Sequence, residues 1–86
     1  MEAQDLLDAT QKLDAHGGYG WLLKGQSFWT PTQVMEGLEV EGMPVSNDTV
    51  VRWFRSLPHT QDFGGRGGIR ASKNDLILFF AGRMAD

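Results

Sequence analysis

Cysteine is absent from this chain, which removes disulfide frameworks and thiolate zinc sites at the outset and fits a reducing compartment. Long apolar runs are missing too. The longest, Leu76 to Ala81, falls far short of the roughly 20 residues that span a bilayer. The amino terminus carries Glu2, Asp5 and Asp8 where a secretory signal needs positive charge and then an apolar stretch. The expectation is a soluble cytoplasmic protein with no membrane partner. Histidine is scarce: His16 and His59 lie far apart, with no clustered carboxylates at ligand spacing, so no metal site is expected. Gly17-Gly18-Tyr19-Gly20 is no phosphate loop, because no lysine and helix start follow it. No serine, histidine and aspartate fall into a recognisable catalytic motif. The reading is a protein without enzymatic activity and without a cofactor.

What the chain does contain is enough apolar sequence for one core. Its 41% hydrophobic and 22% charged residues are typical of a folded domain, and 86 residues are too few for two. The net charge of −3 speaks mildly against nucleic acid, but the charges are unevenly distributed. Residues 1–45 hold seven acids against Lys12 and Lys24, a balance of −5, whereas residues 46–86 hold six bases against four acids, a balance of +2. Phosphate attraction acts within about a Debye length, so a local basic face matters more than the total.

Periodicity divides the chain. Residues 2–15 read as a helix, with Ala3, Leu6, Leu7, Thr10 and Leu13 at helical spacing, and Gly17-Gly18 ends it. Residues 19–29 read as a linker or a short helix packed on the core. Thr30-Pro31 opens the next helix: threonine caps, proline suits the first position, and Gln33 completes a capping box. Gly42-Met43-Pro44 stops it. Ser46 caps a third helix, whose expected buried stripe is Val50, Trp53, Phe54 and Leu57, with Pro58 as its end. Thr60–Phe63 and Gly68–Arg70 read as two strands around the turn Gly64-Gly65-Arg66-Gly67. Ser72 with Asp75 is expected to form a second capping box before a closing helix that runs to Met84. Trp21, Trp29 and Trp53 are read as core residues, not as a platform for stacking bases.

The fold class that follows is mainly α with a small β-hairpin, in the order helix, helix, helix, hairpin, helix. The helices after Thr30 and after Ser46, with a turn between them, are a helix-turn-helix candidate. If the stripe of the second is buried, its outward positions are Asn47, Asp48, Val51, Arg52 and Arg55. Arginine can bridge guanine O6 and N7, asparagine can do the same for adenine, and valine can touch a thymine methyl. Asp48 would repel phosphate, so it either meets a cytosine amino group or serves the helix end alone. At the hairpin, Arg66 sits on a glycine-rich tip with Arg70 and Lys73 at the base, a set suited to phosphate or minor-groove contact.

Three stretches together resemble a known group: Trp29–Val34, Val45–Arg55 and Gly65–Leu76. In this order they are similar to the winged helix-turn-helix domains of the MerR/excisionase group of small phage and plasmid proteins. The resemblance covers about 50 residues, from Trp29 to Phe80. It implies one winged domain over residues 1–86, with an amino-terminal helix and linker (1–28), the helix-turn-helix (29–57), the wing (58–71) and a closing helix (72–86). It further implies a transcriptional regulator or recombination accessory factor from a mobile element, with Val45–Arg55 as recognition helix and double-stranded DNA as partner. The chain departs from that pattern in the longer connection Glu39–Pro44 and in its acidic amino-terminal extension.

Two further expectations concern partners. The acidic first half favours a rival reading, a protein-interaction module on the same scaffold. The apolar run Leu76–Phe80 exceeds what one buried stripe requires. Its spare face is expected to be covered either by Leu6 and Leu13 of the same chain or by a second copy, in a homodimer or a cooperative array.

Overall fold

The computed structural model describes residues 3–62 and 68–83. The chain forms helix α1 (Ala3–His16), a one-turn helix α2 (Gly20–Leu23), strand β1 (Phe28–Trp29), helices α3 (Pro31–Val40) and α4 (Asn47–Arg55), strands β2 (Gln61–Asp62) and β3 (Ile69–Ser72), and helix α5 (Lys73–Arg83). It is a mainly helical fold with a small antiparallel sheet, as its sequence pattern indicates. Two elements correct the expected order. The open stretch 19–29 resolves into α2 and β1, and β1 pairs with β3 in the register Phe28↔Ser72 and Trp29↔Ala71. β3 also pairs with β2, through Gln61↔Arg70 and Asp62↔Ile69, so the strand order is β1-β3-β2. A two-residue strand shows no alternation along the chain, and its partner lies at the far end of the sequence.

The helix ends obey local chemistry. After α1, the Gly17 amide still donates to the Leu13 carbonyl (3.1 Å), and Gly17 and Gly18 then take φ angles of 82° and 86° that side chains resist. At α3 the Gln33 amide donates to Thr30 Oγ1 (3.3 Å), and Gln33 Oε1 accepts from the Thr30 amide (3.0 Å), completing the reciprocal cap. At α4 the Thr49 amide donates to Ser46 Oγ (3.2 Å). At α5 only half of the expected box forms. The Asp75 amide donates to Ser72 Oγ (3.1 Å), but the Asp75 carboxylate is engaged by His59 instead.

The core gathers one face from every helix. Leu13, Leu22, Val34, Val50, Phe54 and Leu76 are the largest side chains removed from solvent. The stripe expected on α4 is partly corrected: Val50 and Phe54 are buried, while Trp53 and Leu57 are half-buried against the core. α1 packs along α5, with Ala9 and Leu13 buried and Leu6 partly so. The apolar run of α5 is therefore covered from within the chain. Leu76, Ile77 and Phe80 are buried, and Leu78 and Phe79 pack at the margin.

Trp21 is clamped between layers. Its indole N–H donates to the Gly18 carbonyl (2.9 Å), its ring meets Trp29 edge-on at 5.3 Å, and one face lies against Gly37 of α3. A Cβ at Gly37 would stand 2.5 Å from Cδ2 and Cε3 of that indole. On helix propensity alone, Gly37→Ala would stabilise by about 1 kcal/mol. The contact reverses the sign, and urea unfolding should show a loss of about 1–3 kcal/mol from overpacking. Gly82→Ala, at an exposed α5 position where a Cβ meets nothing within 4 Å, is the control and should gain up to about 1 kcal/mol. Equal gains at both sites would show that Trp21 does not rest on α3.

Candidate nucleic-acid interface

α4 has two unlike faces. With Val50 and Phe54 held in the core, Asp48, Arg52 and Arg55 are exposed on the other side, Val51 is half-buried between the faces, and Asn47 is exposed at the open end of the first turn. The first turn of α4 is fixed by Ser46, whose Oγ accepts from the Thr49 amide and lies 2.8 Å from Thr49 Oγ1. Asp48 is free to favour the positive end of the helix by charge.

Asn47 ties the two candidate helices together. Its Nδ2 donates to Thr32 Oγ1 of α3 at 3.2 Å, which sets the starts of α3 and α4 side by side on one exposed edge. That bond uses one of two Nδ2 hydrogens. The other hydrogen and Oδ1 remain, and they are the donor and acceptor pair that an adenine edge requires.

Arg70, exposed on β3, borders the same region. Gln26, Phe28, Thr30, Gln33 and Arg70 line an open groove of about 340 Å³ at the start of α3. Gln26 Nε2 donates to Gln33 Oε1 (3.0 Å), so the glutamine that caps α3 also anchors the segment before β1. Phe28 remains 46% exposed here, a large apolar side chain among polar ones. Sequence reasoning took Thr30–Gln33 as a helix cap only and did not assign Gln26 or Phe28 to the surface. The signal lay in the β1–β3 pairing, which joins residues more than forty positions apart.

The remaining expected residues are placed differently. Lys73, the first residue of α5, is half-buried and engaged within the fold. Its amide donates to the Ser27 carbonyl (2.7 Å) and its ammonium to the Leu23 carbonyl (3.3 Å). It lines a second groove with Ser27, Phe28, Ser72 and Asn74, so Phe28 stands between it and the Arg70 groove. Arg66 and the rest of the Gly64–Gly67 turn, together with Phe63, lie outside the described residues. Of the acids of the first half, Asp5 and Asp14 are exposed on α1, and Glu36 and Glu39 on α3, which packs against α4.

The entry to β2 is pinned by a polar contact that sequence reasoning missed. Asp75, 3% exposed, accepts the His59 amide at Oδ2 (2.9 Å), and its Oδ1 lies 3.1 Å from His59 Nδ1. The first turn of α5 thus holds the connection between α4 and β2, and with it the spacing of α4 from the sheet. No family model matches this chain, and neither does any curated protein or solved structure.

Removing the acceptor should cost more than removing the ring. Asp75→Ala leaves the partly buried His59 amide without its partner and should destabilise by about 1–3 kcal/mol in urea. His59→Ala keeps that amide and loses only a mostly exposed ring, so its cost should stay within about 1 kcal/mol. The reverse ranking would remove the Asp75 carboxylate as the anchor.

Proposed function

We propose that this protein binds duplex DNA as a winged helix-turn-helix domain, with α4 as the recognition helix in the major groove. The observation that carries the reading is the two-faced α4. Its inner face is fixed by Val50 and Phe54, its outer face presents Arg52 and Arg55, and Asn47 is exposed at its first turn, bonded to the start of α3. Side chains read base edges only if their backbone is held in place, and this helix is held by its cap, its core contacts and its neighbour. Arg70 lies beside the start of α3 and is suited to a backbone phosphate. The hairpin of β2 and β3 supplies the wing in this reading. Lys73, whose ammonium serves Leu23, belongs to the scaffold and not to the contact surface. The resemblance to the MerR/excisionase group favours a regulator or recombination accessory factor from a mobile element, acting without a cofactor or catalysis.

A second reading has one observation in its favour. α1 exposes Asp14 on the face where Leu7 is also 52% exposed, and Asp5 near its start, which suits a basic protein partner more than DNA. Mobility shift across a salt series separates the two. With about four phosphate contacts, log K should fall against log salt with a slope of roughly −3 to −4. Flat salt dependence, or no shift at about 50 mM salt, would favour the protein-interaction module.

The residues should fail in different ways. Asn47→Ala or Arg55→Ala should cost about 1–3 kcal/mol on a preferred site selected from random sequences, and little on bulk DNA. Arg70→Ala should weaken all sequences alike and make the salt slope shallower by about 0.9. If the α4 variants leave site preference unchanged in competition assays, α4 is not the reading helix.

A further inference from the structure

On the side of α4 that carries Trp53, the molecule has a second recess of about 260 Å³ that plays no part in the proposed DNA contact. Leu38 of α3, with Met43 and Val45 of the connection to α4, lines one side of it. Tyr19, Trp53 and Phe80 supply aromatic surface. Phe80 lies 5.3 Å from Tyr19 and 5.9 Å from Trp53, the latter at an interplanar angle of 90°, so the rings form a corner. Leu38, Tyr19 and Phe80 are nearly removed from solvent, whereas Arg83 is exposed, which sets the cation at the mouth.

Arg83 is held but not neutralised. Its guanidinium carbon lies 5.0 Å from the centroid of the Trp53 ring and 5.4 Å from that of Phe79, and among the described residues it has no carboxylate partner. These are cation–π contacts, and the guanidinium N–H donors meet no acceptor among the described residues. Burial raises the Tyr19 phenol above its usual 10.0, and the charge of Arg83 pulls it back in part, so cation and phenol act on the same space. Trp21 and Trp29 donate their indole N–H groups to the Gly18 and Gln26 carbonyls, whereas Trp53 meets no acceptor among the described residues.

We infer that this recess is a binding site for a small aromatic carboxylate, with the ring against Tyr19, Trp53 and Phe80 and the carboxylate on Arg83. Its volume lies just below the usual range for ligand sites, which suits one or two fused rings and excludes larger cofactors. A planar ring matches the aromatic corner, and a carboxylate matches the fork of the guanidinium. A cation would be repelled at the mouth. Glu41, whose carboxylate lies near Gly18, is outside the lining. The site stands independently of DNA binding, but its occupant would touch both α4 and the connection from α3, the parts that set the pose of Asn47 and Arg55.

The test uses the full chain without DNA and indole-3-acetate as the probe, followed by amide chemical shifts in ¹⁵N-labelled protein. A saturable response at Leu38, Met43, Val45 and Trp53 is expected, with a Kd of about 0.1–1 mM for a ligand of this size. Neutral indole-3-acetamide and cationic tryptamine should bind at least about tenfold more weakly. Arg83→Gln, at an exposed position that should leave the melting temperature near its parent value, should weaken indole-3-acetate by about tenfold or more. Equal binding of the acid and the amide would overturn the proposal, as would unchanged affinity in Arg83→Gln. Shifts confined to other surfaces, or no saturable response by about 5 mM, would do the same.

Discussion

Phe80 is the point on which the layers of this protein converge. Its ring lies within 6.4 Å of four others: Tyr19 and Trp21 around α2, Trp53 on α4, and Phe79 beside it on α5. A short chain buries little surface, so its stability rests on a few large side chains that serve several contacts each. α5 brings Phe80 to the centre, and α1 then packs along α5 with Leu13 and Ala9. The same arrangement fixes the inner side of α4. The exposed residues of α4 therefore owe their positions to aromatic packing on the opposite side of the helix.

The sheet depends on these helices more than they depend on it. β1 and β2 have two residues each, too short to be stable on ladder bonds alone. They are held by polar contacts at the start of α5: the Lys73 amide on Ser27 next to β1, and the Asp75 carboxylate on His59 just before β2. One turn of helix thus anchors both flanking strands about β3. This places Arg70 beside the start of α3, and it gives Lys73 and Asp75 structural work where sequence reading had assigned a phosphate contact and a helix cap.

The uneven charge of the chain also has a spatial meaning. Acids are exposed on α1 and α3, and exposed arginines stand on α4 and β3. A negative total charge is compatible with local attraction of phosphate when the like charges are more than a Debye length away or screened by water. It also limits indiscriminate binding, since the acids of α1 repel DNA that approaches from their side.

Local chemistry was legible in the sequence because its partners are neighbours in the chain. The caps at Thr30 and Ser46, the glycine stop after α1, and the buried positions Val50 and Phe54 all follow from spacings of two to four residues. The exposure of Asp48, Arg52 and Arg55 on α4 followed from the same periodicity, whereas Val51 is half-buried. Pairings between distant residues were not legible. β1 has meaning only beside β3, and Gly37 reads as a poor helix residue until Trp21 is seen against it. Asp75 reads as a cap until His59 arrives from the preceding loop, and the α5 run is a surplus until α1 covers it. By itself the sequence determined where helices begin, end and turn their apolar sides, since those depend on bonds within one turn. Which sides meet, which polar groups are consumed inside and which remain outside was decided only by the tertiary structure, because burial is shared between segments that the chain order keeps apart.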